Sequence, residues 1–172
     1  MADSLKIRSL VKDDIIQVLE IYNFHIINGY GNFEEEILSI NKFRKLCADI
    51  VKMNLPFLVA EKNDKIIGFT YLNKFRKKSG YKFSFENSIY MDNVFSGKGI
   101  GNELLKRLLE ASEKNSNIKT IIAVISSHNS KASIKIHEKN GFKMIGTLKK
   151  AGFKKGKWLD AIYMQKMINE KN

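Results

Sequence analysis

The run Ser96-Gly97-Lys98-Gly99-Ile100-Gly101 constrains this chain more than any other feature. Before it, Ser88 to Val94 interleaves β-branched and aromatic side chains with smaller or polar ones, the pattern of a strand. After it, from Asn102 to about Lys114, Leu104, Leu105, Leu108 and Leu109 recur at helical spacing. Strand, glycine loop and helix in that order aim backbone N–H groups and the positive end of a helix dipole at one point, which suits a phosphate or pyrophosphate. Glycine fits because a Cβ would block the close approach of an anion or forbid positive φ. Spacing sets two familiar loops aside. A Walker A loop needs Lys-Ser or Lys-Thr, whereas Gly101 is followed by Asn102-Glu103. In a dinucleotide fingerprint counted from Gly97 or Gly99, the last glycine position falls on Asn102 or Leu104. A bare G-x-G-x-G also occurs as a plain strand-to-helix connection, so its surroundings must decide.

Those surroundings are those of one ordinary globular domain spanning residues 1–172, with 44% hydrophobic and 28% charged residues. Met1 to Asp14 lacks the apolar segment of a secretory signal, and no apolar run reaches the length of a membrane span. A single cysteine, Cys47, excludes an intramolecular disulfide and fits a reducing, cytoplasmic setting. His25, His128 and His137 are scattered and there is no second thiol, so no metal site is expected.

The net charge of +12 raises a nucleic-acid reading. The basic residues gather in two runs, Lys74 to Lys82 and Lys149 to Lys157, which read as solvated loops. Only four of the 30 basic residues are arginine (Arg8, Arg44, Arg76 and Arg107), whereas readers of bases and phosphates lean on the arginine fork. A field that attracts a small anionic ligand fits better than a nucleic-acid partner.

Along the chain the periodicities alternate. A short strand over Lys6–Leu10 precedes a helix from about Asp13, striped by Ile15, Ile16, Val18, Leu19 and Tyr22. A second helix over Ile40–Met53 carries Phe43, Leu46, Cys47 and Ile50. Phe57–Glu61 and Ile66–Leu72 form a hairpin across Lys62–Lys65. Strand 88–94, the loop and its helix follow, then a buried-type strand over Thr120–Ile125 and a helix over Ser130–Lys139. Two closing strands, near Phe142–Leu148 and Trp158–Met167, flank the second basic run. The order βααβββαβαββ implies an α/β (α+β) domain whose mixed sheet carries packed helices.

That order, with the glycine loop at its centre, resembles the GNAT superfamily of acyl-CoA N-acyltransferases. Its loop pattern, Gln/Arg-x-x-Gly-x-Gly/Ala, falls on Ser96 to Gly101, with Ser96 in place of the usual Gln or Arg. Asn129 to Phe142 is similar to the superfamily's second acyl-CoA segment. Asn32-Phe33-Glu34-Glu35-Glu36, Phe75 to Tyr81, Phe85 to Tyr90 and Gly152 to Asp160 narrow the likeness to the phosphinothricin acetyltransferase group, which acts on phosphinothricin, methionine sulfone or methionine sulfoximine. This chain departs from the group with Lys78 for Arg, Asn87 for His, and an unusual Tyr30-Gly31.

The resemblance implies a mostly antiparallel central sheet with helices on both faces, acetyl-CoA as co-substrate and a homodimer. It makes Glu86 the base that takes the amine's proton, a role helped by a pKa raised on entering an apolar core. His137 stands where many members place the Tyr that protonates the departing thiolate. Backbone groups of Ile89, Tyr90 and Met91, the loop Ser96, Gly97, Lys98, Gly99, Ile100 and Gly101, and Asn129 would hold the acyl-CoA. Arg76 and Lys78 would clamp the acceptor's anionic group. Glu34 would meet its ammonium, and Phe33, Phe75, Tyr81 and Trp158 would line the pocket, the last three with packing in the core or a dimer interface as the alternative. The rival readings are an acetyltransferase for peptide N-termini or polyamines, and a catalytically weak acyl-CoA- or RNA-binding module.

Overall fold

A computed structural model describes residues 5–128 and 130–168. Its elements are β1 (Lys6–Ser9), α1 (Ile15–Asn28), α2 (Ile40–Lys52), β2 (Phe57–Lys62), β3 (Lys65–Lys74), β4 (Ser84–Met91), α3 (Ile100–Glu113), β5 (Thr120–Ser126), α4 (Lys131–Lys139), β6 (Lys143–Lys154) and β7 (Lys157–Met167). The order is the one the sequence predicts. The strands form one seven-stranded sheet, β1-β2-β3-β4-β5-β7-β6, antiparallel except where β4 runs parallel to β5.

Several boundaries differ from the sequence reading, each for a local reason. The β2–β3 hairpin closes in two residues rather than four, because Asn63 and Asp64 both adopt positive φ (50° and 58°) and make the tight turn that matches strand twist. The second lysine run is mostly strand. β6 continues to Lys154 and turns at Lys155-Gly156, again with positive φ (50° and 73°). Helix α3 starts two residues earlier than predicted, at Ile100, because left-handed Gly99 serves as its N-cap. β4 begins at Ser84 and ends at Met91, so Asp92 lies beyond it and caps a short 3₁₀ turn over Asn93–Phe95.

The helices cover both faces. Tyr22 of α1 packs on Phe69 and Tyr90, whose ring centroids lie 6.5 and 5.3 Å away. Gly68, next to Phe69 and on the opposite face, lies against Met91, which in turn faces Gly101 of α3. Helices α1 and α2 thus lie on the face of Phe69, Tyr71, Glu86, Ser88 and Tyr90. α3 and α4 lie on the face of Thr70, Asn87, Ile89 and Met91. Phe43, Phe69, Ile26, Leu104, Leu105 and Leu108 are fully buried between these layers.

Candidate active site

Strand β4 is paired on both sides only at its beginning. Ser84–Asn87 run beside Thr120–Ala123 of β5, and no β4–β5 pairing is recorded beyond Asn87. β4 stays on β3 as far as Met91, while β5 stays on β7 as far as Ser126. The two central strands therefore part at Asn87. Asp92 N–H donates to the Ile67 carbonyl at 2.9 Å, which fixes the alternation along β4. The N–H groups of Tyr90 and Ser88 turn towards β3, and those of Ile89 and Met91 turn towards the opening. The Met91 carbonyl, on the open side, accepts from His25 Nε2 at 2.7 Å.

The parting strands bound a cavity of about 660 Å³. Its wall includes Tyr22, His25 and Lys42 from the α1–α2 side and Ser130, Ser133 and His137 from the α4 side. It therefore passes through the sheet, and the two faces can admit different reactants.

On the α1–α2 side the wall carries the carboxyl of Glu86. Burial pushes its carboxyl up to about 7, with the opposing pull of Arg76 the smaller effect. No cation reverses that shift, and the hydroxyls around it are themselves hard to ionise. Burial raises Tyr22, and raises Tyr71 and Tyr90 more strongly. A carboxyl balanced near neutrality beside an open cavity can take a proton and return it.

On the α4 side Asn87 and His137 form a buried pair, with Asn87 Nδ2 and His137 Nε2 3.0 Å apart. His137 Nδ1 lies 2.7 Å from the Ser133 carbonyl, which can only accept, so the ring proton sits on Nδ1. Nε2 is then the acceptor, and Asn87 donates to it. This leaves Asn87 Oδ1 buried and without a hydrogen-bond partner among the described residues. Burial lowers the His137 pKa, keeping the ring neutral. The Phe142 ring stands edge-on to it, with centroids 4.9 Å apart.

The glycine loop lies on the same side, at the start of α3. Gly97 and Gly99 take φ of +77° and +81°, and a Cβ built on either would meet nothing within 4 Å. The cradle is therefore open, and the first N–H groups of α3 have no intrahelical acceptor. Lys98 leans over the Phe95 ring, with Nζ 5.0 Å from its centroid. The open glycine cradle has the shape and exposed N–H groups to receive a phosphate, and the N–H groups of Ile89 and Met91 face the opening beside it.

The cavity wall brings together Phe33, Glu34, Glu86, Ile89, Tyr90 and His137. Phe75, Arg76, Lys78 and Tyr81 do not line it. The β3–β4 connection leaves the wall after Lys74, and there Arg76 stacks on Phe75 at 4.1 Å while Phe75 meets Tyr81 at 5.9 Å. Arg76 reaches the cavity only as a charge acting on Glu86. The cations that line the wall are Lys42, which sequence pattern did not single out, and Lys74, which it read as the start of a solvated basic run. Asn129 lies outside the described residues.

The loop between α1 and α2 closes the cavity from below and is pinned at several points. Asn23 holds Leu38 through both its amide atoms, at 3.0 and 2.9 Å. The buried Lys154 donates to the Asn32 carbonyl at 2.5 Å, and Lys155 Nζ reaches the Ile27 carbonyl. Phe33 lies over Gly152, where a Cβ would meet its ring at 2.4 Å. Only glycine leaves room for that ring.

Comparison with known proteins agrees with this geometry. Residues 7–163 match the family described as acetyltransferase (GNAT) domain. The chain is 34% identical over 163 residues to phosphinothricin N-acetyltransferase of Alcaligenes faecalis, covering 95% of this chain and 82% of that one. It is 28% identical to the L-methionine sulfoximine/L-methionine sulfone acetyltransferase of Salmonella typhimurium, covering 96% of each. Among solved structures, a GNAT superfamily phosphinothricin acetyltransferase from Sinorhizobium meliloti in complex with acetyl-CoA superposes with a TM-score of 0.90. It is 33% identical, with 98% of this chain and 90% of that chain covered. With an open glycine cradle at a helix start and a central sheet parted at the fourth strand, the chain belongs to the GNAT acetyltransferase family.

Proposed function

We propose that this chain transfers an acetyl group from acetyl-CoA to the α-amine of a small amino-acid-like acceptor of the phosphinothricin, methionine sulfone or methionine sulfoximine type. The observation that carries this reading is Glu86, a carboxyl held near neutrality where the sheet parts, in a cavity reached from both faces. The named acceptors of similar proteins supply the substrate class.

Acetyl-CoA, when bound, supplies an activated acyl group that an amine can attack directly. The residues of this chain do the rest. Gly97 to Gly101 and the start of α3 bind the pyrophosphate, and the N–H groups of Ile89 and Met91 orient the arm in the opening between β4 and β5. Glu86 takes the proton of the acceptor ammonium, directly or through one water. Phe33 and Glu34 close the acceptor side, with Glu34 near the ammonium. Lys42 and Lys74 join Arg76 as the positive field that draws in an anionic amino acid. His137 acts as a positioning residue rather than the acid: its one ring proton is committed to Ser133, and its Nε2 fixes Asn87. The departing thiolate takes its proton from solvent or from the amine.

The same reading extends to a homodimer. Met144, Ile145, Leu148, Phe153, Trp158 and Met167 are exposed on the edge hairpin β6–β7, an apolar surface suited to a second copy. A reducing cytoplasm accords with the buried free thiol of Cys47, which burial pushes up to about 11.

A thiol-release assay with acetyl-CoA against methionine sulfone, methionine sulfoximine, phosphinothricin, the common amino acids, spermidine and N-terminal peptides tests the proposal. Turnover is expected on the sulfone, sulfoximine and phosphinate compounds. Turnover on peptides or spermidine alone would overturn the acceptor class while leaving the reaction.

A further inference from the structure

Two residues of the cavity wall each carry a buried polar atom with no hydrogen-bond partner among the described residues: Asn87 Oδ1 and Asn32 Nδ2. The first lies on the α4 side, where the acyl donor enters. The second lies on the acceptor side, and the proposed chemistry has so far given it no role. Asn32 is only 5% exposed, and an amide N–H buried without an acceptor costs free energy that a fold does not leave uncompensated without reason.

The direction of this amide is fixed. Asn32 Oδ1 accepts from the Glu34 N–H at 2.9 Å, so exchanging the two amide atoms would set one donor against another. Its own carbonyl is held at 2.5 Å by Lys154, and the neighbouring Phe33 ring is seated on Gly152. Lys154 is 122 residues away in the chain and 1% exposed, a buried amine whose pKa is lowered by its burial. These contacts hold the α1–α2 loop from beneath and seat Asn32 in the cavity wall, with its Nδ2 buried behind the surface. The Tyr22 hydroxyl lies near the same amide without completing a hydrogen bond to it.

We infer that Asn32 is the acceptor-side specificity residue, donating its free N–H to an oxygen of the amino acid that only accepts: a carboxylate, or the oxygen on sulfur or phosphorus. The inference rests on the reading that the acceptor is an amino acid. The chemistry is complementary. Carboxylate, sulfone, sulfoximine and phosphinate oxygens all lack a proton, and a preorganised donor in a desolvated wall rewards them over acceptors without such an oxygen. Lys42 and Lys74 add attraction to the cavity, whereas the directed amide adds geometry.

The test is Asn32→Asp, which keeps the oxygen that receives Glu34 N–H and replaces the donor with an acceptor. It is assayed with methionine sulfone, its carboxamide, and methionine. If the oxygen read is the carboxylate, KM rises about tenfold or more for methionine sulfone and methionine, with kcat and the KM for acetyl-CoA nearly unchanged. The carboxamide, which carries a donor of its own, is then spared. If the oxygen is on sulfur, the sulfone and its carboxamide lose and methionine does not. Unchanged KM for all three, or equal loss for all three together with a raised KM for acetyl-CoA, overturns the inference. Calorimetric binding of methionine sulfone to the CoA-bound protein separates the two readings. Binding by the natural chain, lost in Asn32→Asp, sustains the inference even without turnover, in which case the reaction assignment alone fails. No binding by the natural chain overturns the inference.

Discussion

The two halves of β4 show how one strand can serve both fold and site. From Ser84 to Asn87 it is held by β3 on one side and β5 on the other, and its Phe85 is 6% exposed. From Ser88 to Met91 it keeps β3 alone, and the N–H groups of Ile89 and Met91 have no strand to receive them. The first half spends its hydrogen bonds on the sheet and its side chains on the core. The second leaves backbone donors pointing into a cavity. A rigid strand with one free side presents those donors to a ligand at little entropic cost, because the other side already fixes them.

Glu86 sits at the boundary, and its replacement should break the comparison most visibly. Glu86→Gln is expected to lower kcat by about 10²–10⁴-fold, with acetyl-CoA binding nearly unchanged. A pre-steady-state thiol-release measurement, with acetyl-CoA affinity measured separately, checks this. An unchanged rate would remove Glu86 as the base. In the paired half, Phe85→Ala should destabilise the fold by about 3–5 kcal/mol, read from denaturant unfolding, because a ring leaves a cavity that the sandwiched sheet cannot close.

A proline pair sharpens the contrast between the two sides of the open half. Tyr90→Pro removes an N–H turned towards β3 and should cost about 3 kcal/mol or more of stability. Ile89→Pro removes one turned towards the opening. It should leave the melting temperature closer to that of the natural chain and weaken acetyl-CoA by about tenfold. Equal melting losses in both variants would show that Ile89 N–H is engaged in the fold. Gly99→Val should also weaken acetyl-CoA about tenfold or more, since valine resists the φ of +81° that keeps the cradle in shape. Isothermal titration is the check, and normal affinity would deny the cradle its role.

The pH dependence tests Glu86 without a new side chain at any other position. With Glu86 near 7, kcat/KM should fall about tenfold for each pH unit below that value, and the limb should vanish in Glu86→Gln. The sign for stability is opposite to that of an ordinary ion-paired carboxylate. A pKa raised from 4.5 to about 7 favours the folded state while the group is protonated, and that contribution is lost as pH rises between those values. Glu86→Gln should therefore be more stable than the natural chain at pH 8, and equal melting points there would show that the carboxyl is not strained by burial.

The glycine loop could be read from the sequence because its chemistry is local: positive φ, the lack of a Cβ and the start of a helix all fall within six residues. The order of elements was legible for the same reason, since periodicity is a property of short windows. Glu86 was singled out through likeness to a family and its place in a strand, and the structure adds that it is buried in the cavity wall. The errors also have local causes. The second lysine-rich run looked like a loop because charge pattern does not distinguish an exposed edge hairpin from a turn. Arg76 and Lys78 looked like pocket residues because position in a segment does not say which way a connection leaves the sheet.

What the sequence determined by itself was the order of elements and the glycine loop, both written in neighbouring residues, and, through likeness along the whole chain, the family. Tertiary structure alone decided where β4 and β5 part, and so which N–H groups are free. It also joined Asn87 to His137, 50 residues away, and Asn32 to Lys154, 122 residues away. Those contacts fix which amide atoms are satisfied and which are left without a partner among the described residues. A hydrogen bond between distant residues depends on the packing of the layers that carry them, and no local pattern of side chains encodes its geometry.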